Sequence, residues 1–458
     1  MTDRPGLPML INRNFSLLWA AQAISQTGDF VFDTTLTLWV GTVLLDGRTY
    51  APAAVSGLLA TVAVATLLVA PLAGVHVDRW DRRRTMLASD LIRAAVIGAV
   101  AALAILPAHT LPAGVTVALV HLAVFLNAGV SQFFNPARFA LTGEIVAEEQ
   151  RAEAAGIGQS TQAIASILGP TLAGPLLYTA GLRWALILDT ASFLLSYLLV
   201  RAIRPPAATT TTPSGPADFR KELMAGLRMT AGNTVVRAVL VVIVIVTIGS
   251  QALHVVNVFF VTGNLHADPQ WYGTFYMALG LGMLGGAVLA TPLGRRLGHR
   301  RVFSLGLAVT GLLLVGYSRA TGLAAGLAVL VAVGVAMAVL NAALAPMLVE
   351  AVPPGYLGRV FSVLNPVQRL AGIIGTGLAG WLASTVPQDF HATLGGLRFG
   401  RVDGILTLSG LLIALGGLYA IRSLRHEVRA CGPRTGTTPP CAPAPAAEAP
   451  AAPRGRAL

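Results

Sequence analysis

Along most of this chain the apolar residues form long runs separated by short polar breaks, with no strand-like alternation. A helix needs about 20 residues to cross a bilayer. Runs of that order occur about twelve times, near 15–43, 54–77, 86–106, 113–134, 160–181, 184–201, 238–261, 271–292, 302–318, 322–348, 363–386 and 402–423. The pattern predicts an all-α integral membrane protein. Three stretches fall outside it. Residues 1–14 are polar. Residues 202–237 hold Pro205-Pro206, Thr209–Thr212, Pro213 and Pro216 and then a basic amphipathic stretch, which reads as a linker with a surface helix. Residues 425–458 turn to Pro, Ala, Gly and Thr, a composition expected to be disordered. The runs thus divide into six within 15–201 and six within 238–424.

Composition sharpens this reading. Of 458 residues, 55% are hydrophobic and only 11% charged, with a mean hydropathy of +0.70. A soluble protein of this length has no means of hiding so much apolar surface. The net charge of +12 raises nucleic acid as a partner, but the arginines lack an amphipathic face with interleaved aromatics. They gather in alternate loops: Arg79/Arg82/Arg83/Arg84, Arg138/Arg151, Arg204/Arg220/Lys221/Arg228, Arg295/Arg296/Arg300/Arg301 and Arg359. By the positive-inside bias these loops and both termini are cytoplasmic, in a multi-pass protein of the cell (inner) membrane. Cys431 and Cys441 both lie in the tail and imply neither a disulfide framework nor a metal site. No phosphate-binding loop or metal-ligand spacing is present, so neither ATP-driven work, catalysis nor a cofactor is expected.

The first run carries the chemistry most clearly. Gln22, Ser25, Gln26, Asp29 and Asp33 follow steps of three and four, which lines them along one helix face. Asp29 then lies about 21 Å along a helix that starts near Phe15, at ~1.5 Å per residue. An acid at that depth is costly unless paired, hydrated or protonated, which suits reversible proton binding. The alternative is an aspartate that only bonds a neighbouring helix. Asp189 in the sixth run is a further proton candidate. Asp90 and Arg93, three residues apart, are expected to form a structural salt bridge. His121, Asn127, Gln251, His254, Asn257, Asn341 and Gln368, with Gln22 and Gln26, are candidates to line a cavity, although a lone histidine on an apolar helix is often a satisfied interhelical contact. Arg369, with Asn365 nearby, needs an acid or a water-filled cavity.

Between the second and third runs stands Gly74-x-x-x-Asp78-Arg79-x-x-Arg82-Arg83. Its glycine permits close backbone approach, its aspartate suits a helix N-terminus, and its arginines suit acids or lipid phosphates. This order resembles the signature loop of the major facilitator superfamily, at every fixed position. The resemblance implies about twelve transmembrane helices in two pseudo-symmetric six-helix bundles, with a substrate site between them and the loop acting as a gate. A repeat agrees with two halves: Asn135/Asn341, Glu144/Glu350, Gln162/Gln368, Gly169/Gly375 and Gly174/Gly380 are each 206 residues apart.

Ala165-x-x-x-Gly169-Pro170-x-x-Ala173-Gly174 resembles the facilitator antiporter motif, with two of its glycines replaced by alanine. Close helix packing alone is the other reading of that stretch. Asn12-Arg13-Asn14-Phe15 to Asp29, with Asn135-Pro136-Ala137-Arg138 and Glu144-Ile145-Val146, resembles the macrolide-efflux and enterobactin-exporter branch. That likeness implies export of a bulky amphipathic drug or natural product in exchange for protons by alternating access, and the protein is expected to be a monomer. Import or facilitated diffusion of a small metabolite, or export of a siderophore, is the alternative.

Overall fold

The computed structural model of the chain describes residues 10–77, 79–104, 111–204, 228, 232–352 and 356–430. Asp78, residues 1–9, most of the 202–237 linker, and the tail beyond 430 with Cys431 and Cys441 lie outside the described residues. Twelve long helices occupy the described chain: α1 Arg13–Trp39, α2 Ala51–Val77, α3 Arg82–Leu103, α4 Ala113–Ile145, α5 Arg151–Pro175, α6 Leu182–Arg201, α7 Thr234–Gly263, α8 Tyr272–Leu297, α9 His299–Ser318, α10 Leu323–Ala351, α11 Leu357–Thr385 and α12 Arg401–Ala430. Ten are long and apolar enough to cross a membrane. The exceptions, α1 and α11, carry polar groups on the faces they turn inward. Large apolar side chains such as Leu284, Val288, Leu312, Trp381 and Leu415 are exposed on the outside, as a lipid-facing surface requires.

The helices overrun the apolar segments. α4 continues to Ile145, α7 begins at Thr234 within the expected linker, and α12 continues to Ala430, past the expected onset of the tail at 425. Hydropathy marks what sits in hydrocarbon, whereas backbone hydrogen bonding carries a helix on into its polar turns. Among the described residues the one departure from helices and their connections is a hairpin, β1 Ala392–Leu394 against β2 Leu397–Phe399. Gly395 and Gly396 make its two-residue turn at φ 58° and 81°, the backbone that a primed hairpin turn demands.

Helix pairing follows one scheme twice. In the first half α1 packs on α5 and α6, α3 on α4 and α6, and α2 on α4. In the second half α7 packs on α11 and α12, α9 on α10 and α12, and α8 on α10. The halves meet through α2 with α11 and α5 with α8, which are equivalent under the same exchange. The caps repeat as well. The Asn12 side chain caps α1 and donates from Nδ2 to the carbonyl of Ile145 at 2.8 Å. The Asn233 side chain caps α7 and donates to the carbonyl of Ala351 at 2.7 Å. Ile145 and Ala351 again stand 206 apart.

Closure is one-sided. At the end bearing the Arg79–Arg84 turn (the basic end), each half keeps its own core: Phe15, Leu18, Met86, Phe134 and Leu141 in the first, Val235, Phe303, Met347 and Leu424 in the second. Toward the opposite end one core spans both halves, uniting Leu38 and Leu177 with Val255, Phe260, Tyr272 and Tyr317. There Ser384 Oγ accepts from the Ala53 backbone at 2.9 Å, and Thr171 Oγ1 donates to the Gly273 carbonyl at 3.3 Å.

Candidate functional site

Mid-helix in the first half, four carboxylates gather around one guanidinium. Arg93 of α3 pairs with Asp29 of α1, donates from Nε to Asn127 Oδ1 of α4 at 2.8 Å, and lies 4.1 Å over the Phe193 ring of α6. This corrects the expected Asp90–Arg93 bridge. Asp90 is fully buried and instead accepts from Ser196 Oγ of α6 at 2.7 Å, leaving its Oδ1 without a partner. Same-helix spacing brought Asp90 and Arg93 together on paper, but the guanidinium reaches across to Asp29 of α1. Asp189, fully buried in α6, accepts from Ser192 Oγ at 3.2 Å, and its Oδ2 has no partner. Asp189 sits within electrostatic reach of Asp29, Asp33 and Arg93. Gly28 makes this approach of α1 and α6 possible, since a Cβ there would meet Asp189 Oδ1 at 2.5 Å.

Asp33, one turn beyond Asp29, is exposed into a set of cavities. The largest, about 760 Å³, lies between the halves and is lined by Asp33, Thr37, Thr247, Gln251, Asn365, Gln368, Arg369 and Thr376 among others. A second, about 200 Å³, runs into the carboxylate cluster past Ser25, Gln26, Asp29, Arg93, Asn127, Gln132 and Gln162. A third, about 350 Å³, is mostly apolar and holds Phe30, Pro170, His254, Tyr272, Tyr276 and Met283. Asp33 lines all three.

Of the cavity candidates, Gln26, Asn127, Gln251, His254 and Gln368 reach these spaces. Gln251 accepts there from Thr376 Oγ1 at 3.2 Å. Gln22 is buried beside Gln26. His121 donates to the Val117 carbonyl and packs over Gly57. Asn257 accepts from Tyr317 Oη at 2.6 Å inside the second half. Asn341 is exposed on α10 and lines none of the three spaces. Arg369 lines the central cavity with no ion-pair or hydrogen-bond partner among the described residues. Tyr272, Tyr276 and Gln132 join the site without having stood out in the sequence. A glutamine deep in α4 and two tyrosines in the first two turns of α8 were the available signal.

In the signature loop, Arg82 pairs with Glu144 of α4, and Arg83 donates from Nε to the Val200 carbonyl at 3.2 Å and on to Arg201, capping the end of α6. Trp80 stacks on Phe133 at 6.0 Å. Arg79 is exposed, and Gly74 faces open space in this conformation, with no backbone against it. Asp81, outside the fixed pattern, caps α3. The fifth-helix glycines are contact points. A Cβ on Gly169 would run into Phe30 of α1, and one on Gly174 into the Gln270 backbone of the other half. Their partners 206 residues on behave alike: Gly375 lies against Ile248 of α7, and Gly380 against Ser56 and Pro52 of α2. Pro170 presents its carbonyl to Gly273 of α8. No cluster of metal-binding side chains is present among the described residues.

A profile of the Major Facilitator Superfamily matches residues 18–376 and again 239–448. The chain is 27% identical over 381 residues to "Uncharacterized MFS-type transporter YkuC" of Bacillus subtilis, covering 81% of this chain and 86% of that one. It is 24% identical over 390 residues to "Macrolide efflux protein A" of Streptococcus pyogenes, covering 83% and 92%. Its fold matches a bacterial homologue of the iron transporter ferroportin in an inward-facing state, with a TM-score of 0.67 and 16% identity over 90% of this chain and 98% of that one. Twelve helices paired by one scheme used twice, a cavity between the halves and a matching profile lead to one conclusion: the chain belongs to the major facilitator superfamily and is a membrane transporter, not an enzyme.

Proposed function

We propose that the protein exports a bulky amphipathic compound in exchange for protons, by alternating access of its two halves. The observation that carries this reading is Asp33, a carboxylate shared by the central cavity, the aromatic side pocket and the space leading into the carboxylate cluster. A ligand in the cavity and a proton arriving through the cluster then compete for one group, which is the elementary requirement for exchange. The cluster itself carries four acids against one guanidinium, and so large an excess of negative charge away from bulk water calls for protons or a cationic ligand. Asp29 and Asp33 are the coupling acids in this reading, with Asp189 behind them. A central cavity with mixed walls beside a mostly apolar side pocket suits an amphipathic substrate, and the likeness to a macrolide efflux protein favours export over import. Drug or antibiotic resistance follows as a physiological role.

In the same reading the basic end is cytoplasmic, both termini lie there, and the cavity opens inward. The 74–83 loop, including Asp78, gates that side. The protein works as a monomer among membrane lipids.

Inside-out vesicles test the proposal. Amphipathic drugs, erythromycin and a fluoroquinolone among them, are added to energised vesicles: at least one is expected to release protons from the lumen with the wild type, and Asp33→Asn is expected to abolish the release while Asp29→Asn reduces it at least tenfold. Drug flux that persists at full rate without a proton gradient, in wild type and both variants, overturns exchange and leaves a passive carrier.

A further inference from the structure

The two walls of the central cavity carry opposite charge. The acids come from the first half alone: Asp33 faces the cavity, and Asp29 beside it is already held by Arg93. Among the described residues the second half contributes no acid to any of the three spaces that Asp33 lines; it contributes the guanidinium of Arg369 to the central cavity and the imidazole of His254 to the side pocket. Internal symmetry shows that this is a divergence between equivalent positions. The capping residues Asn12 and Asn233 stand 221 apart, as do Gly28, which admits Asp189 of α6, and Gly249, which admits Ile413 and Ser409 of α12. The same step carries Asp33 to His254. The position that is an acid in one half is therefore a base in the other, and both face the same pocket.

Arg369 reinforces the polarity. It stands twelve residues into α11, about 18 Å from the basic end at ~1.5 Å per residue, where a guanidinium needs a counter-charge or water. Gln162, the equivalent of its neighbour Gln368, is followed by Ala163, so this arginine is peculiar to the second half. No ion pair joins it to Asp33, although both line one space of about 760 Å³. Two unpaired opposite charges lining one drug-sized cavity with mixed polar and apolar walls are complementary to a molecule that carries both.

We propose that the cavity selects amphipathic zwitterions: an amine seats at Asp33, and an oxyanion such as a carboxylate forms a charge-assisted pair with Arg369, its apolar body lying toward the aromatic side pocket. This deepens the export reading by naming its substrate class, but it concerns binding and stands without proton coupling.

The test is equilibrium binding to the purified full-length protein in nanodiscs, with no gradient, using three matched probes. These are a fluoroquinolone with free piperazine amine and free carboxylate, its cationic methyl ester, and its anionic N-acetyl derivative. The wild type is expected to bind the zwitterion at least tenfold more tightly than either single-charge probe. Arg369→Gln is expected to weaken the zwitterion and the anion about tenfold while sparing the cation, and Arg369→Lys to recover part of the loss. Asp33→Asn is expected to weaken the zwitterion and the cation while sparing the anion, which also shows that each variant is folded. Equal binding of zwitterion and ester by the wild type, no effect of Arg369→Gln on the zwitterion, or no binding of any probe overturns the proposal. If this charge pattern holds while vesicle flux ignores the proton gradient, coupling fails and the substrate class stands.

Discussion

Arg93 shows how much one side chain organises. It is almost wholly buried and meets three helices at once through Asp29, Asn127 and Phe193. Removing one member of a buried ion pair strands the other, at a cost of about 3–5 kcal/mol, whereas removing both is far milder. Arg93→Met is therefore expected to destabilise the protein strongly in denaturant titrations in detergent. Asp29→Leu/Arg93→Met is expected to recover ~1–3 kcal/mol relative to the sum of the single changes. Additive losses in that cycle would mean that the pair does not bind the helices together. The sequence made the acids of α1 conspicuous because a polar stripe in an apolar run violates its surroundings. It could not tell which cation answered them. Local spacing favoured Asp90 for Arg93, and only the packing of α1 and α3 on the same α6 brings Arg93 within reach of its real partner.

At the level of helices, the small residues fall into two kinds. Gly169 and Gly375 fit the fifth helix of each half against its own first helix, whereas Gly174 and Gly380 fit it against the other half. Added bulk inside a half has nowhere to go, so Gly169→Ala and Gly375→Ala are expected to lower thermal stability, with overpacking worth about 1–3 kcal/mol. Gly174→Ala and Gly380→Ala leave each half intact and instead wedge the closed end. They are expected to keep most of the stability, lose transport and raise cysteine labelling at position 53 several-fold. Unchanged labelling in the second pair would show that those glycines do not govern closure. The repeat at 206 was legible because α4 and α5 recur in α10 and α11 with equal spacing. It vanished elsewhere because loop lengths differ: the first helices are offset by 221, so an ungapped comparison passes over Asp33 and His254. The 392–399 hairpin left no mark in the apolar runs either, because its strands are only three residues long.

For the whole molecule, a run of long helices could be read from hydropathy, because crossing hydrocarbon imposes length and composition together; ten of the twelve meet that standard, and α1 and α11 fall short of it. Which end is closed could not, since it depends on contacts between distant helices. The shared core of Leu38, Leu177, Tyr272 and Tyr317 has a thermal consequence. When that end opens, part of this apolar surface meets water, and the penalty for wetting it weakens on cooling. The resting preference for this conformation should therefore be temperature-dependent. Spin labels at positions 53 and 384, frozen after equilibration at 4 °C and at 37 °C, are expected to show a larger long-distance population from the colder sample. An identical distribution would place the balance in polar contacts rather than in the shared core. A transporter built this way has its resting conformational balance set partly by the temperature response of water.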